Sequence, residues 1–179
     1  MASAASPPPQ RPPENRVSQI IDDALERFSP PESSLLAGAM PQEASEPLRL
    51  YTIALGSLSD REGPVRFYQI GWRSLLVSPL GGTRSADVSG VDNLSFGHFA
   101  RGPAVDRLIS AGARLEEYLG DAGDEKADII ESDALRIGAI ANQAHDLFVP
   151  YLGLPEDVMS LSTFEEAIRR KAAAIWGSA

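Results

Sequence analysis

The sequence contains no cysteine in 179 residues and has two histidines. The absence of cysteine excludes disulfide bonds, thiolate nucleophiles and zinc or iron–sulfur sites held by cysteine. With two imidazoles, a metal or acid–base centre has few residues from which to be built. No apolar run approaches the roughly 20 residues of a membrane-spanning helix. The beginning of the chain does not resemble a secretory signal either, and we therefore expect a cytoplasmic protein.

Basic residues are outnumbered, because 16 Lys and Arg face 25 Asp and Glu, which gives a formal net charge of −9. Proteins that bind nucleic acid gain much of their affinity from Lys and Arg that neutralise phosphates. Anionic membrane surfaces likewise attract basic segments. The sequence has one short basic cluster, Arg169 to Lys171. We therefore expect neither nucleic acid nor a membrane among the partners.

The N-terminal part divides into three segments. Residues 1–15 are rich in Pro and Ser and predict a disordered tail. Residues 16–29 predict an amphipathic helix, because their apolar residues recur at helical spacing opposite a charged side. Residues 30–46 hold several Pro, Ser, Gly and Ala and predict a linker. The apolar side of the helix consists of Val17, Ile20, Ile21, Leu25 and Phe28.

The remaining residues, 47–179, are expected to form one helical domain. Residues 48–78 hold two mostly apolar segments that fit either two helices or a β-hairpin. We favour helices there, because Ala and Leu dominate the apolar residues of the chain. Residues 79–103 are rich in Gly, Ser and Asp and predict a long loop. Further helices are expected over 103–120, 125–148 and 162–176.

These segments together predict a mainly α fold. It is a single-domain helical bundle of about five to six helices with a long central loop. The last helix is expected to begin with a capping box, Ser162 to Glu165. The alternative is an α+β fold with a hairpin at residues 48–78.

The main catalytic alternative lies in the stretch DNLSFGHFARGP, which contains His98. A histidine that acts as a general base needs a partner that orients it and a substrate within hydrogen-bonding reach. Asp92 could orient the imidazole, and Ser95 could be the nucleophile that it activates. Arg84 or Arg101 could hold an anionic substrate.

A simpler interpretation is a polar loop that Phe96 and Phe99 anchor to the core, and we favour it. His145, the second histidine, falls on a predicted helix, and together with His98 it is the alternative for a metal site in a helical bundle. The ligand spacings Glu-x-x-His, His-x-x-x-His and His-Glu-x-x-His do not occur. We therefore expect no catalytic residues, no metal and no cofactor.

The function that these observations favour is that of a non-enzymatic accessory protein. It would be an adaptor, a chaperone or a small subunit of a larger bacterial assembly. It would bind a protein partner, or a second copy of itself, through the amphipathic helix at 16–29, through the helical domain, or through both. Exposed aromatic residues serve as anchors in many interfaces. Candidates for such anchors are Tyr51, Trp72 and Trp176.

The helix at 16–29 is the predicted docking element, because an amphipathic helix can lie in a groove of another protein through its apolar side. It could equally fold back onto its own domain, since a helix of about 12 residues is marginal alone in water. The alternative function is a small enzyme or ligand-binding protein that uses the 81–103 loop, with His98 as general base.

Overall fold

A computed structural model describes residues 13–28, 43–60, 63–77, 83–120 and 126–177. The described residues form three α-helices and eight strands. The helices are α1 (Pro13–Phe28), α2 (Pro103–Leu119) and α3 (Leu161–Trp176). The strands are β1 (Glu43–Ala44), β2 (Leu48–Ile53), β3 (Phe67–Val77), β4 (Thr83–Ser89), β5 (Ser95–Arg101), β6 (Asp128–Ser132), β7 (Ile137–Asn142) and β8 (Leu147–Leu152).

One mixed sheet contains all the strands, in the order β5-β4-β3-β2-β6-β7-β8, with the short β1 added beside β3. Strands β2 to β5 form one antiparallel half, and β6 to β8 form another. The two halves meet where β2 pairs with β6 in parallel. A parallel pair requires a long crossover, and here that crossover includes α2.

The three helices cover opposite faces of the sheet. Neighbouring residues of a strand point to opposite faces. On β6, Ile129 packs against α2, whereas Ile130 belongs to the core under α3. On β3, Leu75 packs on the α2 side, whereas Leu76 packs against α1. Helices α1 and α3 therefore share one face, and α2 lies on the other.

The prediction of a mainly α bundle of five to six helices was wrong, because the fold is α+β. The alternative with a hairpin at residues 48–78 is the one that the structure bears out, since β2 and β3 pair in antiparallel fashion. The error has a physical cause. Both faces of the sheet are covered by helices, so apolar residues occur on both sides of β3, and the alternation that marks a half-exposed strand is lost.

The predicted helix over 125–148 was also wrong, because this segment forms β6, β7 and the beginning of β8. Two turns of similar build connect these strands. Ser132 and Asn142 each end a strand and accept a hydrogen bond from a backbone N–H three residues later. Each turn then closes on a residue with positive φ, Arg136 at 51° and Asp146 at 55°. These polar residues therefore belong to the turns between strands, within the segment that was predicted to be one helix.

The predicted loop over 79–103 contains the β4–β5 hairpin. Its strands escaped prediction because they carry polar residues that the fold buries: Ser85 and Asp87 are both buried in the sheet.

The predicted helices over 16–29, 103–120 and 162–176 are confirmed as α1, α2 and α3. The cap of α3 is Ser160 rather than Ser162, and its hydroxyl accepts from the Thr163 N–H. Most of the predicted tail (1–15) and linker (30–46) lies outside the described residues. Within the described ranges, no helix is both long and apolar enough to cross a membrane.

Candidate functional site

Strand β5 forms one edge of the sheet. It pairs with β4 on its inner side and has no strand on its outer side among the described residues. An edge strand presents backbone N–H and C=O groups that are free to pair with another extended chain. All the residues from Ser95 to Arg101 are exposed or half-buried. We call this strand, together with the side chains that flank it, the β5 edge.

An aromatic cluster flanks the β5 edge on the face that carries α1, and it consists of Phe28, Phe96 and Phe99. The ring centroids of Phe96 and Phe99 lie 4.8 Å apart. Residues three apart on a regular strand would point to opposite faces. Here a β-bulge inserts Gly97 between them, so that both rings face α1. A Cβ at Gly97 would lie 3.1 Å from the backbone oxygen of Asp87, which favours glycine at the bulge.

The aromatic cluster borders a cleft of about 390 Å³ between α1 and the beginning of β5. Phe28 is 57% exposed, although it contacts both other rings. An apolar ring with this exposure gains stability when a further surface covers it, at about 25 cal/mol per Å². The cleft is lined by Ile20, Asp23, Ala24, Arg27, Phe28, Leu94, Ser95 and Phe96.

The other face of the β5 edge carries His98. Its Nε2 lies 3.9 Å from an Asp87 carboxylate oxygen, beyond hydrogen-bonding distance, and its side chain is 64% exposed. Asp87 is itself held by Arg73, whose Nε and Nη2 donate to both carboxylate oxygens at 2.7 and 2.8 Å. The histidine therefore lies beside an existing ion pair rather than completing one.

The Arg73 guanidinium extends a polar network across the sheet. Its Nη1 and Nη2 also donate to the two oxygens of Glu131, at 2.5 and 3.1 Å. The hydroxyl of Tyr151 donates to Glu131 from the far side, and its ring passes over Gly138, where a Cβ would come within 2.6 Å of it. Asp87, Arg73, Glu131 and Tyr151 belong to β4, β3, β6 and β8, and so the polar network ties the two halves of the sheet together.

The surroundings of Arg73 and Tyr151 keep the guanidinium charged and the phenol protonated, because the pKa of each group is raised. Burial by itself lowers the pKa of Arg73, but hydrogen bonds and charges from Asp87 and Glu131 outweigh this, and the pKa is raised. Burial raises the pKa of the Tyr151 hydroxyl, and the neighbouring Glu131 charge raises it further. Four donor–acceptor contacts occupy the guanidinium. These groups therefore satisfy one another, and the network is built for stability more than for binding a ligand.

The residues of the catalytic alternative do not form one centre in the structure. Ser95 and His98 lie on the same strand, but His98 makes no hydrogen bond to Ser95 or Asp92 within the described residues. Arg84 and Arg101 are cross-strand neighbours. They lie on the face of α1, because Arg84 is opposite Leu76. The structure thus separates the predicted base from the predicted anion-holding arginines by the thickness of the sheet.

The two histidines of the metal alternative, His98 and His145, lie far apart in the structure. His145 lies in the turn between β7 and β8, near one edge of the sheet, whereas His98 lies on β5 at the other edge. With strands about 4.8 Å apart, the two imidazoles are roughly 25 Å from each other. No group of three or more His, Asp or Glu suited to a metal ion occurs in the described ranges.

The predicted partner-binding side of α1 faces its own sheet. Val17 and Ile21 have no exposed surface and pack with Trp72 and Leu76. Ile20 and Leu25 are partly buried at the margin of the same core, and Phe28 is the exposed member of the set. Docking of these residues on another protein stays a prediction, and Phe28 is the residue that is accessible for it.

The three aromatic candidates for interface anchors differ in burial. Trp72 is 5% exposed, and its indole Nε1 finds no hydrogen-bond partner in the part of the chain that the structure describes. Tyr51 is half-buried beside the core under α3, and Trp176 is 46% exposed at the end of α3.

Sequence reasoning missed the polar network and the edge position of β5. The one available signal was charge within apolar strands, as at Arg73.

No protein-family model matches the chain, and neither a curated protein nor a solved structure gives a significant match. Function is therefore argued from the site itself.

Proposed function

We propose that this chain is a non-enzymatic accessory protein, an adaptor or chaperone, that binds an extended segment of a partner protein at the β5 edge. The observation that carries the proposal is the combination of an edge strand, unpaired on its outer side among the described residues, with an aromatic cluster beside it in which Phe28 is exposed. In such complexes the backbone of the added strand supplies affinity, and pockets for alternate side chains supply specificity. A cytoplasmic setting is part of this proposal.

The aromatic cluster supports this function because it lies where alternate side chains of an added strand would fall. A strand paired with β5 would direct every second side chain towards the face of α1. There it would meet Phe99, Phe96 and the exposed ring of Phe28. Burying an aromatic or large aliphatic side chain in this cleft is worth about 1.5–3 kcal/mol.

The enzyme alternative has less support. Its general base would be His98, which has no hydrogen-bonded partner to orient it among the described residues. The carboxylate nearest to it, Asp87, is already occupied by Arg73. A base without an orienting group lacks the usual arrangement of acid–base centres.

The proposal is tested by selecting binders from a phage-displayed library of random 12-residue peptides and measuring their affinity by fluorescence anisotropy. Bound peptide is expected to slow hydrogen exchange at the backbone amides of residues 95–101, because those amides gain a strand partner. Phe28→Ser should weaken binding by roughly tenfold, from the loss of about 1.5 kcal/mol of apolar contact.

Tyr118→Ser is the matched control, because Tyr118 is also an exposed aromatic residue near a helix end but lies on α2. It should leave binding unchanged. Selected peptides that protect other amides, or that bind the Phe28 variant as tightly as the wild type, would contradict the proposal. Recovery of no binding peptide would contradict it as well.

A further inference from the structure

The β5 edge also carries a pair of arginines that face each other. Arg84 on β4 and Arg101 on β5 are direct cross-strand partners. Side chains at such positions on one face have Cβ atoms about 5 Å apart, and like charges placed there repel each other. Among the described residues neither arginine makes a salt bridge, although the chain as a whole has a net charge of −9.

The arginine pair lies on the same face as the aromatic cluster. Leu76, opposite Arg84, packs against α1, and Phe99 belongs to the same cluster of contacts. On β5, Arg101 follows Phe99 by two positions and therefore points to the same side. An extended segment added to the edge would therefore pass Phe99 and Arg101 at two of its own positions that are two residues apart.

The charged residues that line the cleft include both signs, unlike the pair of Arg84 and Arg101. Asp23 and Arg27 of α1 both line the cleft and are four residues apart, so that a negative charge accompanies the positive one. Neither Arg84 nor Arg101 forms an ion pair with an acidic side chain within the described ranges. A carboxylate supplied from outside would relieve the repulsion and could accept from both guanidinium groups.

We propose that the partner's segment carries an Asp or Glu two residues from the apolar side chain that packs on Phe99, and that Arg84 and Arg101 bind this carboxylate. The inference rests on the proposed function and adds to it the chemistry of the partner. In a segment antiparallel to β5 the acidic residue precedes the apolar one, and in a parallel segment it follows. A strongly acidic chain thereby selects an acidic partner at one defined place.

The test uses the same peptide library on the full chain. Wild-type protein is expected to enrich peptides in which Asp or Glu stands two positions from an aromatic or large aliphatic residue. Charge reversal at both sites, Arg84→Glu with Arg101→Glu, should weaken those peptides at least tenfold and enrich Lys or Arg at that position instead. Arg66→Glu, a change at an exposed arginine before β3, is the matched control and should alter neither result.

The outcomes separate the two proposals. Peptides that protect β5 amides and lose affinity with Phe28→Ser, but show no acidic preference, would overturn the arginine inference and leave the proposed function standing. Recovery of no β5-binding peptide would overturn both. A dimer in light scattering that dissociates on charge reversal would also overturn the inference, since the edge would then bind a second copy. Enrichment on wild-type protein decides the acidic preference even where the reversed variant fails to fold.

Discussion

Replacing Arg73 with Met should strongly destabilise the fold. The side chains of Arg73 and Asp87 are 11% and 10% exposed, and that of Glu131 is 27% exposed. Methionine has a similar length but no charge, so the substitution leaves two carboxylates close together and without their shared cation. Breaking a buried ion pair by removing one partner costs about 3–5 kcal/mol. That is a large share of the roughly 5–15 kcal/mol by which most domains are stable.

The assay is urea unfolding followed by circular dichroism, with thermal unfolding as a second readout. For a domain of this size each 1 kcal/mol corresponds to about 2–4 °C in Tm, so that the variant should melt roughly 6–20 °C lower. Arg66→Met is the control, because this arginine is exposed and surface substitutions usually change stability by less than about 0.5 kcal/mol.

A second variant distinguishes the loss of the pair from the loss of packing. Replacing Arg73, Asp87 and Glu131 together by Met, Leu and Gln removes every formal charge of the polar network. Buried ion networks replaced in this way often give proteins of equal or greater stability. We expect the triple variant to be more stable than Arg73→Met alone. A cost below about 1 kcal/mol for Arg73→Met would refute the view that these carboxylates are withdrawn from water.

Three further predictions concern the same sheet. Gly138→Ala should cost about 1–3 kcal/mol in urea unfolding, because its Cβ would lie 2.6 Å from the Tyr151 ring; an unchanged midpoint would place that ring elsewhere. The pKa of the Tyr151 hydroxyl in the folded protein lies above its ordinary value of 10.0. Its contribution to the free energy of unfolding is therefore complete below pH 10 and is lost as the pH rises further. The urea midpoint of the wild type should fall more steeply between about pH 9 and 11 than that of Tyr151→Phe. Burial raises the pKa of Asp128 above 3.8 despite hydrogen bonds from Arg49 and Gln143; the folded state then holds this proton more tightly, and wild type should gain stability relative to Asp128→Asn as pH falls from 7 to 4. Parallel curves for wild type and variant would contradict either pH prediction.

The helices could be predicted from sequence because each has one buried side. In α1, Val17 and Ile21 recur at helical spacing opposite charged residues, and the periodicity appears whatever the helix packs against. The central strands gave no comparable signal. Ile129 and Ile130 are adjacent and both fully buried, one under α2 and the other under α3. An apolar run of this kind fits a helix as well as a strand.

The candidate site was predicted in part. His98, Arg84 and Arg101 were all singled out from the sequence, but as members of one centre. Which face each residue occupies depends on strand register, and the bulge at Gly97 changes that register by one residue. The contact between Arg73 and Glu131 joins positions 58 apart in the chain, and pairings of that kind leave no local pattern in a single sequence.

The parallel pairing of β2 with β6 has a consequence for how the chain folds. Arg49 and Asp128, which pair across these strands, are 79 positions apart. The strands β2 to β5 can form a local meander early, whereas β6 has no place to dock until that meander and α2 exist. Contacts between distant positions slow folding, because the loop between them must close first. We therefore expect the N-terminal meander to become ordered before the C-terminal one during synthesis. The pairing of β2 with β6 is expected to form last.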